Sequence, residues 1–146
     1  MKNLIVTSIV FIALTGCNKI EEKKPAAVLD GFKEKYPNAE NVDWKKLDGQ
    51  KWVATFTRGN SGQYYAQFDD SGKWIETELQ LTENLIPDDI VSQLDSTKTD
   101  QKLMSVSMKF LPNGDEYVME VKSGKDVLEM YYDLEGNFMR TDTIRK

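Results

Sequence analysis

The sequence predicts an α+β fold, a tandem repeat of one helix plus a four-stranded antiparallel sheet, with the helices packed on one face of the sheet. Three observations carry the prediction. Strand-length segments alternate apolar and polar residues with a period of two, the signature of a half-buried antiparallel strand. Two turn signatures recur about 65 residues apart: Gly49-Gln50-Lys51-Trp52-Val53 matches Gly114-Asp115-Glu116-Tyr117-Val118, and Phe68-Asp69-Asp70-Ser71-Gly72-Lys73-Trp74 matches Tyr132-Asp133-Leu134-Glu135-Gly136-Asn137-Phe138. A short apolar stripe at helical spacing precedes each set. A period this long reads as a duplicated small unit and not as a solenoid array.

The first stripe is Val28, Leu29, Phe32 and Tyr36, with Pro25 suited to the first turn and Pro37 ending the helix. Gly31 interrupts it and weakens the helix by about 1 kcal/mol relative to alanine. The second stripe is Ile90, Val91 and Leu94 behind Pro87, with Asp88 and Asp89 at the positive end of the helix dipole. Both helices are too short to stand without packing on strands.

Strand register follows from the turns. A three-residue loop, Leu47-Asp48-Gly49, pairs Trp44 with Trp52 and Val42 with Ala54. A two-residue Asn113-Gly114 turn sets Phe110 opposite Tyr117, Met108 opposite Met119 and Val106 opposite Val121. For the last hairpin of each unit a four-residue loop, closed by a left-handed Gly72 or Gly136, places Ala66 opposite Ile75, Tyr64 opposite Thr77, Met130 opposite Met139, Leu128 opposite Thr141 and Glu129 opposite Arg140. A three-residue loop would turn Glu76 and Glu78 into the core at the cost of two unpaired buried carboxylates. The four-residue register implies an aromatic group on the side away from the helices: Trp74 beside Gln67, Phe138 beside Tyr131, with Tyr65, Val53 and Val118 nearby.

Composition excludes several chemistries. The 146 residues include no histidine and one cysteine, so no Ser-His or Cys-His pair and no cysteine-rich or histidine-ligated metal site can be assembled. Adjacent Asp69 and Asp70 read as turn formers, and Asp69-Asp70-Ser71-Gly72 lacks the alternating spacing of a calcium loop. Glu76 and Glu78 share a strand face, but no further polar constellation accompanies them. No catalytic residue, metal or cofactor is therefore expected, and the chain does not read as an enzyme.

The amino-terminal segment reads as an address. Lys2 precedes an apolar run from Leu4 to Leu14, too short for a lasting transmembrane helix, and then Leu14-Thr15-Gly16-Cys17. These four residues resemble a bacterial lipobox. That likeness implies cleavage before Cys17, lipidation of its thiol and stable membrane anchoring through several acyl chains. Residues 1–16 are then the signal peptide, 17–25 the lipidated cysteine and tether, and 26–146 the domain, in units of about 26–82 and 83–146. Asn18 mildly favours an outer-membrane destination in the cell envelope. The full chain carries a net charge of −5, which loss of Lys2 makes more negative, and no basic stripe appears, so nucleic acid is not an expected partner.

Phe32, Lys35, Tyr36-Pro37-Asn38-Ala39, Val42 and Trp44, followed by Phe68-Asp69 to Gly72, Trp74, Glu76-Thr77-Glu78 and Leu85-Ile86-Pro87, resemble the PepSY-like, β-lactamase-inhibitory-protein-like family of bacterial envelope proteins. The resemblance implies two helix-plus-sheet units joined side by side, with a concave helix-free face that in the inhibitory protein grips an enzyme. It carries no inhibitory residue onto this chain. The functional expectation is a membrane-anchored module that binds a protein or peptide through the helix-free face, with Trp74, Phe138, Tyr65 and Tyr131 as contact residues. The alternative is a passive envelope component that assists assembly.

Overall fold

A computed structural model describes residues 23–47, 49–82, 85–95 and 101–144, without the side chains of residues 91 and 93–95. The expected signal peptide, Cys17 and most of the expected tether lie outside the described residues, as do the side chains of Val91 and Leu94.

The architecture is mostly β. Helix α1 (Ala26–Lys35) is followed by β1 (Glu40–Leu47), β2 (Lys51–Thr57), β3 (Gln63–Asp69) and β4 (Trp74–Gln80), then by α2 (Asp88–Asp95), β5 (Gln101–Phe110), β6 (Glu116–Ser123), β7 (Asp126–Tyr132) and β8 (Phe138–Ile144). All eight strands form one antiparallel sheet in sequence order. The two halves join where Thr77 to Gln80 of β4 pair with Phe110 to Ser107 of β5. The four antiparallel strands expected of each half are present and join side by side in one continuous sheet, but the fold is mostly β with a short amino-terminal helix and not a pair of packed helices. Backbone pairing across β4 and β5 satisfies two strand edges that separate sheets would leave open.

Helix α1 buries Val28 and Phe32, and its cap residue Tyr36 joins them, against Trp52, Ala54, Phe56, Tyr64, Ala66, Phe68 and Leu79. Phe32 is the hub, with ring centroids 5.1 Å from Trp44 and Phe56 and 6.1 Å from Phe68. Lys33 and Lys35 occupy the last turn, where the helix dipole favours cations, and Pro37 follows the cap. Of α2 the buried side chain described is Ile90, which enters a second cluster with Val106, Met119, Val121 and Tyr132 on the same sheet face. Leu81 packs against both clusters.

Two hairpins differ in register from the sequence expectation by two residues, which leaves every side chain on its expected face. In β1–β2 the loop lies one residue later, with Gly49 and Gln50 both left-handed, so Trp44 pairs with Ala54 and Lys46 with Trp52. Val42 falls in a bulge at the sheet edge and is 39% exposed. In β5–β6 the loop runs from Leu111 to Asp115, and Met108 pairs with Tyr117 and Val106 with Met119. A two-residue Asn113-Gly114 turn would require Pro112 in the ladder, where it has no N–H to donate.

The last hairpin of each half keeps the expected core residues on their face but not the expected pairs: beyond the turn the ladder is shifted by two residues, so Tyr64 pairs with Leu79, Leu128 with Thr143 and Glu129 with Asp142. Asp69 N–H donates to the Lys73 carbonyl and Gly72 N–H to the Asp69 carbonyl, each at 3.0 Å, and Asp133, Asn137 and Gly136 repeat both bonds at the same distances. Gly72 and Gly136 both have φ +83°. This tight loop places Trp74 opposite Phe68 and Phe138 opposite Tyr132. A bulge then absorbs Ile75 or Met139, so Thr77 pairs with Ala66 and Thr141 with Met130 while Glu76 and Glu78 point away from the core. The turn dictates one register and the carboxylates the other, and the extra residue reconciles them.

The same turns titrate. The Ser71 hydroxyl and the Ser71 and Lys73 backbone N–H groups donate to the Asp69 carboxylate, and the Asn137 amide and backbone N–H to that of Asp133, holding both below their ordinary pKa of 3.8. A carboxyl depressed in the folded state stabilises above its unfolded pKa, and that contribution is lost as pH falls through the folded value. Asp69→Asn with Asp133→Asn is therefore expected to flatten the dependence of the urea midpoint on pH below about 4, where the parent falls more steeply.

Candidate functional site

The sheet face opposite the buried helical residues alternates with the core along the strands except at the bulges. Tyr65 and Gln67 point to it from β3, Glu76 and Glu78 from β4, Ser107 and Lys109 from β5, Glu116, Val118 and Glu120 from β6, Glu129 and Tyr131 from β7, and Arg140 from β8. Acidic groups predominate. Cross-strand neighbours alternate in sign along the row Glu78, Lys109, Glu116.

At the centre of the second half, Arg140 spans three strands. Its guanidinium donates to both carboxylate oxygens of Glu116, at 2.9 and 3.1 Å, and lies 3.6 Å from the Tyr131 ring centroid. Glu116 and Tyr131 are 6% and 5% exposed, while the Arg140 side chain keeps 46% of its surface in water. The Tyr131 hydroxyl donates to Glu129 at 2.6 Å. Burial first, then the hydrogen bond and charge of Glu129, push that hydroxyl well above the usual tyrosine range, so it remains a donor. The Glu116 contact raises the Arg140 guanidinium further. A few strands away Gln67 donates to Glu76 at 2.5 Å, and Tyr65, Glu78, Gln80, Ser105, Ser107 and Glu120 line a shallow cavity of about 290 Å³.

The four expected contact residues do not gather on this face. Tyr65 and Tyr131 lie on it, Tyr65 half-buried and Tyr131 covered by Arg140. Trp74 and Phe138 lie on the opposite, helical face, because the tight turns pair them with Phe68 and Tyr132. Trp74 packs against the first core cluster and donates its indole N–H to Thr77 at 2.8 Å. Phe138 stands 53% exposed with its ring edge-on to Tyr132. Sequence reasoning missed Glu116 and Arg140. Only the bulge at Met139 brings Arg140 opposite Tyr131 and not Glu129, and a bulge has no composition signal of its own.

No helix among the described residues is long and apolar enough to cross a membrane, and no cluster of potential metal ligands occurs among them. A family model described as "Putative beta-lactamase-inhibitor-like, PepSY-like" matches residues 50–140. The chain belongs to the PepSY-like family. No curated protein matches it. Among solved structures, the PepSY-like chain is similar to a BLIP-like protein from Bacteroides fragilis, at 22% identity and TM-score 0.74 over 86% of this chain and 91% of that one. It is also similar to a DUF2874 family protein from Bacteroides ovatus, at 20% identity and TM-score 0.71 over 84% and 89%. A protein from Bacteroides eggerthii, named among "putative periplasmic proteins", matches at 19% identity and TM-score 0.69 over 84% and 90%. At these identities the likenesses establish the fold.

Proposed function

We propose that this PepSY-like chain is an envelope-anchored module that binds a protein partner through the helix-free sheet face. The observation that carries the reading is the Arg140–Tyr131 pair: a guanidinium locked by Glu116 and stacked on a buried tyrosine, yet half in water, offers its remaining surface with little further ordering cost. Tyr65 supplies a second contact beside the shallow cavity. The surrounding carboxylates favour a basic patch on the partner. The family's beta-lactamase-inhibitor-like description supports an inhibitor-like outcome of such binding. Anchoring through a lipid on Cys17 rests on the lipobox resemblance, and the periplasmic naming of one structural neighbour agrees with an envelope address.

The test uses the chain in its native membrane. Cys17→Ser is expected to abolish fatty-acid labelling and leave the precursor uncleaved; labelling that persists removes the anchor. Cross-linking capture, with a beta-lactamase inhibition assay alongside, is then compared for the parent, Tyr65→Ala and Arg140→Lys, which keeps a positive charge against Glu116 but loses the fork. The expected result is a captured protein or inhibited enzyme that both variants lose by about tenfold or more. Equal capture by all three, or no reproducible partner, rejects the face as the binding surface.

A further inference from the structure

The helical face holds a different site, independent of the surface just proposed. Between the end of α1 and the β5–β6 hairpin lies a cavity of about 340 Å³ whose walls include Tyr64, Trp74 and Phe110. That size falls at the lower end of small-ligand sites. At its base three polar groups meet. The Trp74 indole N–H donates to Thr77 Oγ1 at 2.8 Å, and the Tyr36 and Thr77 hydroxyls are hydrogen-bonded to each other. An indole nitrogen only donates, so three hydrogens serve two bonds. If Tyr36 donates to Thr77, the Thr77 hydrogen is left over; if Thr77 donates, the Tyr36 hydrogen is. Both residues are buried, at 1% and 8% exposure, both line the cavity, and no acceptor among the described residues takes the surplus hydrogen. Burial pushes the Tyr36 phenol above its ordinary range, so the hydrogen stays in place at neutral pH.

The charges around this donor point the same way. Lys35 Nζ sits 3.6 Å from the Trp74 ring centroid and the Arg58 guanidinium 6.0 Å from that of Tyr36. Neither cation makes an ion pair among the described residues, although the chain is acidic overall. Asp115 lies on the wall and accepts from the Leu111 N–H at 3.3 Å, which disfavours a ligand with more than one negative charge. A buried surplus donor, two cations without anionic partners among the described residues and aromatic walls describe a receptor for one carboxylate attached to an aromatic group.

We infer that this cavity binds an arylalkyl carboxylate, its anion held by Lys35, Arg58 and the surplus hydroxyl and its ring against Tyr64 and Phe110. Such a group occurs as a free acid or as the carboxyl end of a peptide finishing in phenylalanine. Calorimetric titration of the purified full chain separates these sources, using 3-phenylpropionate, its neutral amide, Ala-Ala-Ala-Phe and the peptide's carboxamide. Saturable 1:1 binding of 3-phenylpropionate is expected, weakened by about tenfold or more in the amide and in Lys35→Gln/Arg58→Gln. Both cations are exposed, so the urea midpoint of that variant should fall by no more than loss of the Lys35–Trp74 contact causes; either single variant keeps the comparison readable if it falls further. Peptide binding within about tenfold of the free acid, lost in the carboxamide, assigns the peptide source, and a free acid that alone binds assigns the small molecule. Absence of saturation of either acid by about 10 mM, equal binding of acid and amide, or an unaffected charge variant overturns the inference.

Discussion

Replacing Gly31 by alanine is expected to destabilise the protein by about 3 kcal/mol, although the same change at an exposed helix position stabilises by about 1 kcal/mol. A Cβ on Gly31 would stand 2.2 Å from the Gly72 carbonyl oxygen, and one on Gly72 would stand 2.1 Å from the Ala27 carbonyl oxygen. Helix α1 therefore rests on the β3–β4 turn backbone against backbone, with no flexible side chain to move aside. Ten residues of helix cannot hold themselves, so lifting α1 from the turn also loosens Phe32 from Phe56 and Phe68. Gly72→Ala should cost at least as much, because its φ of +83° adds left-handed strain. Gly49→Ala is the control: its φ is +78° in open space, so only the conformational cost of about 1–2 kcal/mol remains. Urea unfolding followed by circular dichroism measures all three, and a Gly31→Ala variant as stable as the parent would show that the contact is not tight.

Gly31 also marks where the sequence stops being legible. Read along the helix it is a weak helix former; its reason lies in a turn forty residues away. The faces of β1, β2, β5 and β6 were legible, since alternation is unchanged by a two-residue slip. The slips came from loop chemistry: Pro112 excluded from the ladder, and Gln50 taking a left-handed conformation that composition would assign to glycine alone. The two terminal hairpins were the harder case. Their turn residues demand one register and Glu76 and Glu78 the other, and the bulges at Ile75 and Met139 satisfy both. That single added residue carries Trp74 and Phe138 to the helical face, which is why the expected aromatic cluster on the open face dissolved. Tyr65 and Tyr131, on the partner strands that carry no extra residue there, kept their expected side. Lys35 and Arg58 gave no signal as a pair, being separated by two strands and brought together only by the packing of α1.

The second large effect belongs to Arg140. Arg140→Ala is expected to cost about 2 kcal/mol, less than the 3–5 kcal/mol typical of a fully buried pair, because the guanidinium is half in water. What is lost is chiefly compensation for Glu116, whose carboxylate is left beneath the sheet surface with its two strongest donors gone. Uncovering the Tyr131 ring adds to the cost. Glu116→Gln together with Arg140→Ala removes the buried charge as well as its partner, so the double variant should be more stable than the sum of the single losses by about 1 kcal/mol or more. The coupling should shrink in about 1 M salt, where a partly exposed pair is screened. A urea double-variant cycle at low and high salt measures both effects. Additivity within about 0.3 kcal/mol would mean that Glu116 finds other donors once Arg140 is gone. In that case the guanidinium is not held by its partner, and an arginine free to reorient loses the preorganisation on which the binding role of this face depends.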